Sequence, residues 1–144
     1  MTNSNTISLP ADTRILAELR TFISETAKNV GIDPETLHSL ELAADEIATN
    51  VIEHVAPEIP CDIFCRCNID SENHTIICEI SWQSEKAFRP EILPETEDIR
   101  KRLESRQPGG LGIFLIHALV DEIEYDYHDG RSVIRLMKKI GINL

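Results

Sequence analysis

Three polar residues recur at intervals of four in the segment ELAADEIATNVIEHV, namely Glu46, Asn50 and His54. On a helix this spacing places them on one stripe, with Glu53 beside it. The amide oxygen of Asn50 is a suitable hard ligand for Mg²⁺, which keeps waters and binds substrate phosphates. The carboxylate of Glu46, one turn away, could orient or deprotonate an attacking hydroxyl or water. Taken alone, the stripe favours the plainer interpretation, the solvent-facing side of an amphipathic helix.

A second candidate site is the run Gly109-Gly110-Leu111-Gly112, which directly precedes an apolar segment. Glycines let the backbone come close to a ligand, and free amides at a helix N-terminus attract phosphate. Arg106, just upstream, could pair with a phosphate. The run lacks the Gly-Lys-Ser/Thr ending of a P-loop, so an ordinary loop-to-helix turn is the alternative. The charged stretch over approximately residues 84–110 is either a lid over a nucleotide or a surface helix laced by ion pairs.

Four cysteines, Cys61, Cys65, Cys67 and Cys78, raise the question of a metal site. The spacing C-x3-C-x-C matches no common zinc pattern, and no nearby histidine completes a ligand pair. On a strand the first three share one face with apolar neighbours, and Cys78 does the same on the next strand. We therefore interpret all four as small core residues.

Hydrophobic periodicity predicts the elements that position these residues. Residues 6–10 form a strand, Asp12 caps a helix that ends near Gly31, and Asp33-Pro34 starts a second helix that stops before Pro57. Strands over about 61–69 and 75–82, a buried helix after the glycine run, and a closing hairpin around Asp129-Gly130 follow. The order predicts an α+β two-layer sandwich, a mostly antiparallel sheet with helices on one face, in one domain over residues 1–144.

Charge and length limit the function classes. The 144 residues include 14 Lys and Arg against 25 Asp and Glu, which leaves a formal net charge of −11. This acidity argues against a general nucleic-acid or anionic-membrane binder. The chain has no apolar run of the roughly 18 residues that span a membrane, and its N-terminus does not resemble a signal peptide. We therefore expect a cytoplasmic protein whose charged partner is either basic or carried to it with a metal ion.

The helix motif Glu46-x-x-x-Asn50-x-x-x-His54, followed by a long loop and Gly-Gly-Leu-Gly-Ile, resembles the anti-sigma-factor serine/threonine kinases. These proteins belong to the GHKL ATPase superfamily of gyrase B, histidine kinases and heat-shock chaperones, which share the Bergerat fold. The resemblance extends from the TISLPAD opening to the last strand. It implies ATP and Mg²⁺ as ligands and a protein serine kinase as the activity.

The resemblance also implies roles for individual residues. Asn50 would hold Mg²⁺ against the ATP phosphates, with His54 on the same stripe, and Glu46 would be the catalytic base. Arg106 and the run Gly109, Gly110, Leu111 and Gly112 would form the end of the lid. Ser132 would face the adenine pocket. The implied partners are a STAS-type anti-sigma antagonist, which is phosphorylated on a serine, and a sigma factor, which is held inactive. The resemblance also implies a homodimer.

One stretch, WQSEKAFRP, departs from the family pattern. Aligning Phe88 and Pro90 with the family's Phe-Asp-Pro-like triplet puts Gln83 and Glu85 where an Asp-x-Gly turn normally binds adenine. Gln83 could accept a hydrogen bond from the adenine amine, but without a charge. Glu85 adds bulk and negative charge near a polyphosphate. These replacements motivate an alternative, a non-catalytic partner-switching module with a degenerate nucleotide site.

Overall fold

The computed structural model of the protein describes residues 5–28, 31–85 and 116–140. Within these ranges five strands form one sheet in the order β1-β2-β3-β5-β4, and every neighbouring pair is antiparallel. The strands are β1 (Asn5–Pro10), β2 (Asp62–Asp70), β3 (Thr75–Gln83), β4 (Glu122–His128) and β5 (Arg131–Lys139). Tight turns join β2 to β3 and β4 to β5, and each turn sets the register of its hairpin.

The first helix, α1 (Leu16–Lys28), follows a short 3-10 turn at Thr13–Ile15. The side chain of Asp12 accepts a hydrogen bond from the backbone N–H of Arg14 at 2.9 Å. Asp12 therefore caps the 3-10 turn that leads into the helix, and not α1 itself. The predicted capping residue is correct, but the tighter first turn is a detail that periodicity does not reveal.

The second helix, α2 (Pro34–His54), starts where the Asp-Pro pair predicts. The carboxylate of Asp33 accepts a hydrogen bond from the N–H of Thr36 at 3.0 Å, and proline occupies the first turn, where its missing N–H costs nothing. An ion pair of 2.6 Å between Arg20 and Asp45 links α1 to α2. No helix in the described ranges is long and apolar enough to cross a membrane.

The helices cover one face of the sheet, and the alternation of side chains along each strand decides which residues they bury. In β3 the residues Ile76, Cys78, Ile80 and Trp82 face the helices and are fully buried. The main partners of these residues from the other elements are Leu19, Ile23, Leu40, Ile47, Val51, Ile63, Cys65, Cys67, Ile134 and Leu136. Fully burying one large apolar side chain contributes about 1.5–3 kcal/mol, so this layer is the main source of stability.

The opposite face of the sheet carries ion pairs. Glu79 on β3 accepts hydrogen bonds from Arg66 on β2 at 3.3 Å and from Arg135 on β5 at 3.0 Å. The guanidinium of Arg131 lies 4.5 Å from the centre of the Phe64 ring. The Glu79 pairs join neighbouring strands, and the contact between Arg131 on β5 and Phe64 on β2 crosses over β3 between them. The architecture is therefore the predicted α+β two-layer sandwich with helices on one face, and the expectation for the fold class is confirmed.

The remaining expectations are met only in part by the described residues. Residues 116–119 form the last turn of the predicted third helix, and Ile116 and Val120 join the core. Cys65, Cys67 and Cys78 are buried, and Cys61 is half-buried, in agreement with their interpretation as core residues. In the ranges that the structure describes, no group of three or more His, Cys, Asp or Glu side chains could hold a metal ion.

The cap of α2 makes the first testable prediction. Replacing Asp33 by alanine should lower the free energy of unfolding by about 1 kcal/mol, because the N–H of Thr36 loses its acceptor. Denaturant unfolding measures this change. Asp12→Ala is the matched control and should have a smaller effect, because Asp12 serves an exposed three-residue turn. Equal losses of unfolding free energy in the two variants would show that the cap of α2 stabilises the protein no more than the cap of the short 3-10 turn does.

Candidate functional site

The helix α2 presents Glu46, Asn50 and His54 on successive turns, as their spacing predicts. They differ in exposure: Asn50 is only 7% exposed, Glu46 is half-buried and His54 is exposed. The Nε2 atom of His54 lies 3.9 Å from the carboxylate of Glu53, its neighbour on the helix. The interpretation of the stripe as the solvent-exposed side of α2 is therefore wrong for Asn50, its central residue. A buried asparagine on a helix needs a reason other than solubility.

The buried amide of Asn50 is the most informative feature of α2. Its Nδ2 atom has no hydrogen-bond partner among the described residues. Burying such a group without a partner costs about 1–3 kcal/mol, so it suggests a polar ligand. Because the two ends of an amide exchange by a half-turn of the side chain, Asn50 can present either its donor or its acceptor there. The side chain thus fits a site that holds a hard cation or a polar group.

The carboxylate of Glu46 is the candidate base. Burial raises its pKa above the ordinary value for glutamate, and the charges of Asp45 and Glu53 raise it further. Asp45, the adjacent residue, forms an ion pair with Arg20, whereas no cation in the described ranges pairs with Glu46. A carboxylate that is partly desolvated and lacks a cationic partner binds a proton more strongly, which suits it to proton abstraction.

A second polar cluster lies at the end of β3 and the start of β5. The hydroxyls of Ser84 and Ser132 are 2.8 Å apart, and both residues are buried. The backbone N–H of Ser84 donates to the carbonyl of Gly130 at 2.9 Å, and the Tyr127 hydroxyl donates to the Ser84 carbonyl at 3.0 Å. The β4–β5 turn, where Gly130 has φ +74°, brings these groups together. The cluster is a firmly held pair of neutral hydroxyls.

The alternation of side chains along β3 puts Ser84 and Gln83 on opposite faces of the sheet. Trp82 faces the helices, so Ser84 follows it on that side, while Gln83 is exposed and opposite Arg131 in the sheet. The structure therefore brings Ser132 together with Ser84 and does not bring Gln83 to the helix-facing side. Ser84 was missed by the sequence reasoning, although the alternation of apolar residues along β3 contains the signal that identifies it.

The other candidate residues cannot be placed in this way. Arg106, Gly109, Gly110, Leu111 and Gly112 lie outside the described residues, as does the proposed lid from residue 86 onward. Their assignment to phosphate binding stays a prediction. The same holds for the extent of the domain and for the roles of Glu46, Asn50 and His54 toward a nucleotide.

Comparison with known protein families identifies the chain. Residues 9–138 match the histidine kinase-like ATPase domain. The chain belongs to this family. The matched range runs from the end of β1 to the end of β5, so it includes α2 and the Ser84–Ser132 pair. The family membership predicted from the helix motif and the glycine run is confirmed.

Relatives within the family are similar over most of their length. The serine-protein kinase RsbW of Bacillus mycoides (strain KBAB4) is 23% identical over 128 residues, which cover 89% of this chain and 80% of that protein. The serine-protein kinase RsbW of Halalkalibacterium halodurans is 27% identical over 126 residues, which cover 86% and 76% respectively.

Two solved structures show the same fold. The RsbU and RsbW domains of Rv1364c from Mycobacterium tuberculosis align with a TM-score of 0.68 and 16% identity, over 96% of this chain and 33% of that one. This chain therefore spans about a third of that longer protein. The SiaB–SiaC complex from Pseudomonas aeruginosa aligns with a TM-score of 0.58 and 12% identity, over 92% and 88%. Both comparisons show that the fold of this chain also occurs in solved structures.

The pKa of Glu46 leads to a prediction about stability. Since this pKa is raised in the folded protein, the folded state binds the proton more tightly than the unfolded chain. Wild-type stability should therefore fall as pH rises from the ordinary glutamate pKa through the raised one, whereas Glu46→Gln removes this loss. The variant should be more stable than wild type at neutral pH, and the difference should vanish in acid.

Denaturant unfolding over a series of pH values measures this difference. Glu58→Gln, at an exposed position just beyond α2, is the control and should leave the free energy of unfolding nearly unchanged. A Glu46→Gln variant that is less stable than wild type at neutral pH would contradict the desolvated state assigned to this carboxylate.

Proposed function

We propose that this protein is an ATP- and Mg²⁺-dependent serine kinase that phosphorylates a STAS-type anti-sigma antagonist and also sequesters a sigma factor. The observation that carries the proposal lies on α2. A buried asparagine amide, whose Nδ2 has no described partner, is one turn away from a partly desolvated carboxylate. Family membership and the serine-protein kinases among the relatives support it.

The residues present fit the implied ligands. Asn50 would hold Mg²⁺ through its amide oxygen, a hard donor of the type this ion prefers. Ser132, with Ser84 beside it, would line the base pocket, and Arg106 with Gly109–Gly112 would face the phosphates. His54 continues the stripe at its exposed end. When bound, Mg²⁺-ATP supplies the phosphoryl group and the cation that offsets its negative charge.

Glu46 would act on the protein substrate. Its carboxylate accepts the proton of the attacking serine hydroxyl, which makes that oxygen a better nucleophile. Partial burial keeps the carboxylate of Glu46 basic, whereas the carboxylate of the adjacent Asp45 is paired with Arg20. Of these two adjacent acidic residues, Asp45 would have a structural role and Glu46 a reactive one.

The charge of the chain suits protein partners more than nucleic acid. A net charge of −11 repels polyanions, so we expect an anionic nucleotide to need Mg²⁺ and the backbone amides predicted for the glycine run. Basic surfaces on a sigma factor would be attracted. We place this partner switching in the cytoplasm and assign the active form to a homodimer.

A second candidate function is a non-catalytic partner-switching module with a degenerate nucleotide site. The observation that favours it is the neutral Ser84–Ser132 pair at the sheet end, together with the exposed position of Gln83. A neutral hydroxyl binds an adenine amine less strongly than a carboxylate does. In this case the protein would bind a STAS partner equally well with and without ATP.

Nucleotide binding and phosphate transfer separate the two candidates. Titration calorimetry with ATP should show binding that requires Mg²⁺, and Asn50→Ala should abolish it while leaving stability unchanged or higher, because an amide without a described Nδ2 partner is removed. Glu46→Gln should bind ATP and transfer phosphate to a STAS-domain protein about 10²–10⁴-fold more slowly.

Glu58→Gln is the control for these measurements, because Glu58 is exposed beyond the end of α2, and it should keep both activities. Absence of ATP binding with Mg²⁺ present would reject the kinase. Phosphate transfer that survives Glu46→Gln would reject the role of Glu46. An Asn50→Ala protein that unfolds would show that Asn50 is structural.

A further inference from the structure

Three thiols lie together in the core beneath the helices. Cys67 on β2 is directly opposite Cys78 on β3, and their Sγ atoms are 3.1 Å apart. Cys65 lies two residues before Cys67 on the same face of β2. All three are at most 1% exposed. No step of the proposed kinase reaction uses them.

We propose that Cys67 and Cys78 are a redox modification site, which hydrogen peroxide converts into an intramolecular disulfide between β2 and β3. The proposal is independent of the proposed kinase activity, since it depends only on the sheet register and on the contact between the two sulfur atoms.

Strand geometry selects this pair over its neighbour. Residues directly opposite on antiparallel strands have Cα atoms about 4.5–5.5 Å apart, which is within the roughly 4.4–6.8 Å of a disulfide. Residues two apart on one strand, such as Cys65 and Cys67, are about 6.6–6.8 Å apart, at the upper limit of that range. Closing the observed 3.1 Å between Cys67 and Cys78 needs a side-chain adjustment of only about 1 Å.

The surroundings also favour Cys67 as the reacting thiol. Hydrogen bonds from Cys65 and Cys78 lower its pKa, although burial opposes this. The same hydrogen bonds, together with burial, raise the pKa of Cys65 and of Cys78. The proton is therefore lost first from Cys67, and the thiolate is the nucleophilic form of cysteine.

The chemistry balances with peroxide as the oxidant. The Cys67 sulfur attacks one peroxide oxygen, an S–O bond forms, the O–O bond breaks, and the departing hydroxide takes the thiol proton to leave as water. The Cys78 sulfur then attacks the sulfenic sulfur; the S–S bond forms, and the hydroxyl leaves with the Cys78 proton as a second water. Two thiols lose two electrons and peroxide gains them. A small thiol reverses the change by exchange.

Opening of the β1 end of the sheet would give a small oxidant access to the thiols. A surface cavity of ≈ 350 Å³ opens between β1 and α1, lined by Ile7, Phe22 and four further residues of α1. Ile7 is opposite Cys65, and Cys67 is opposite Asn5, the first residue of the edge strand β1. Opening of a strand end needs far less free energy than global unfolding, so peroxide can reach the pair without denaturing the protein.

Mass spectrometry of the native full chain tests the proposal. After peroxide treatment and alkylation under denaturing conditions, the protein should lose two hydrogen atoms and two alkylation sites. Trypsin cleaves after Arg66 and a glutamate-specific protease cleaves after Glu72, which separates the three thiols into different peptides. The peptides containing Cys67 and Cys78 should be linked, and the midpoint of thermal unfolding should rise by several degrees until reductant is added.

Variants supply the controls. Cys61→Ala and Cys65→Ala should keep the link, whereas Cys67→Ala and Cys78→Ala should lose it. Four alkylated thiols after peroxide treatment of the native protein, a link from Cys67 to Cys65, or a link between two chains would overturn the proposal. If a core variant does not fold, the peptide map of the wild-type protein decides the question by itself.

Discussion

The packing of α2 against a single face of the antiparallel sheet is the interaction on which the rest of the structure depends. Leu40, Ile47 and Val51 are fully buried in the layer between helices and sheet. Because these apolar residues fix the rotation of the helix about its axis, they also fix the direction in which Glu46 and Asn50 point. The chemistry of the site therefore depends on hydrophobic contacts made by residues that take no part in it.

The two faces of the sheet are held by different kinds of interaction. The face beneath the helices is apolar and includes the three buried thiols, so polar groups placed there, such as the Ser84–Ser132 pair, must satisfy one another. The other face is joined across strands by ion pairs centred on Glu79. These pairs are partly exposed and each contributes little, so the apolar layer dominates the stability of the sandwich.

Much of the fold could be predicted, because each element has a strong local signal. The period of the apolar residues, the Asp33-Pro34 start and the Asp129-Gly130 turn are local features, and the observed bounds differ from the predicted ones by at most a few residues. The stripe on α2 follows from helical spacing in the same way. Ser84 is absent from the predicted site, although the alternation of side chains along β3 puts it on the same face as Trp82.

The sequence by itself determined the element order, the family and the spacing of Glu46 and Asn50, since periodicity and motif spacing are properties of the chain alone. Only the tertiary structure decided that Asn50 is buried, that the hydroxyl of Ser84 meets that of Ser132, and that Cys67 meets Cys78. Each of these depends on which surface covers a residue and on the register between strands. Burial and register arise from contacts between segments far apart in sequence, so no local pattern contains them.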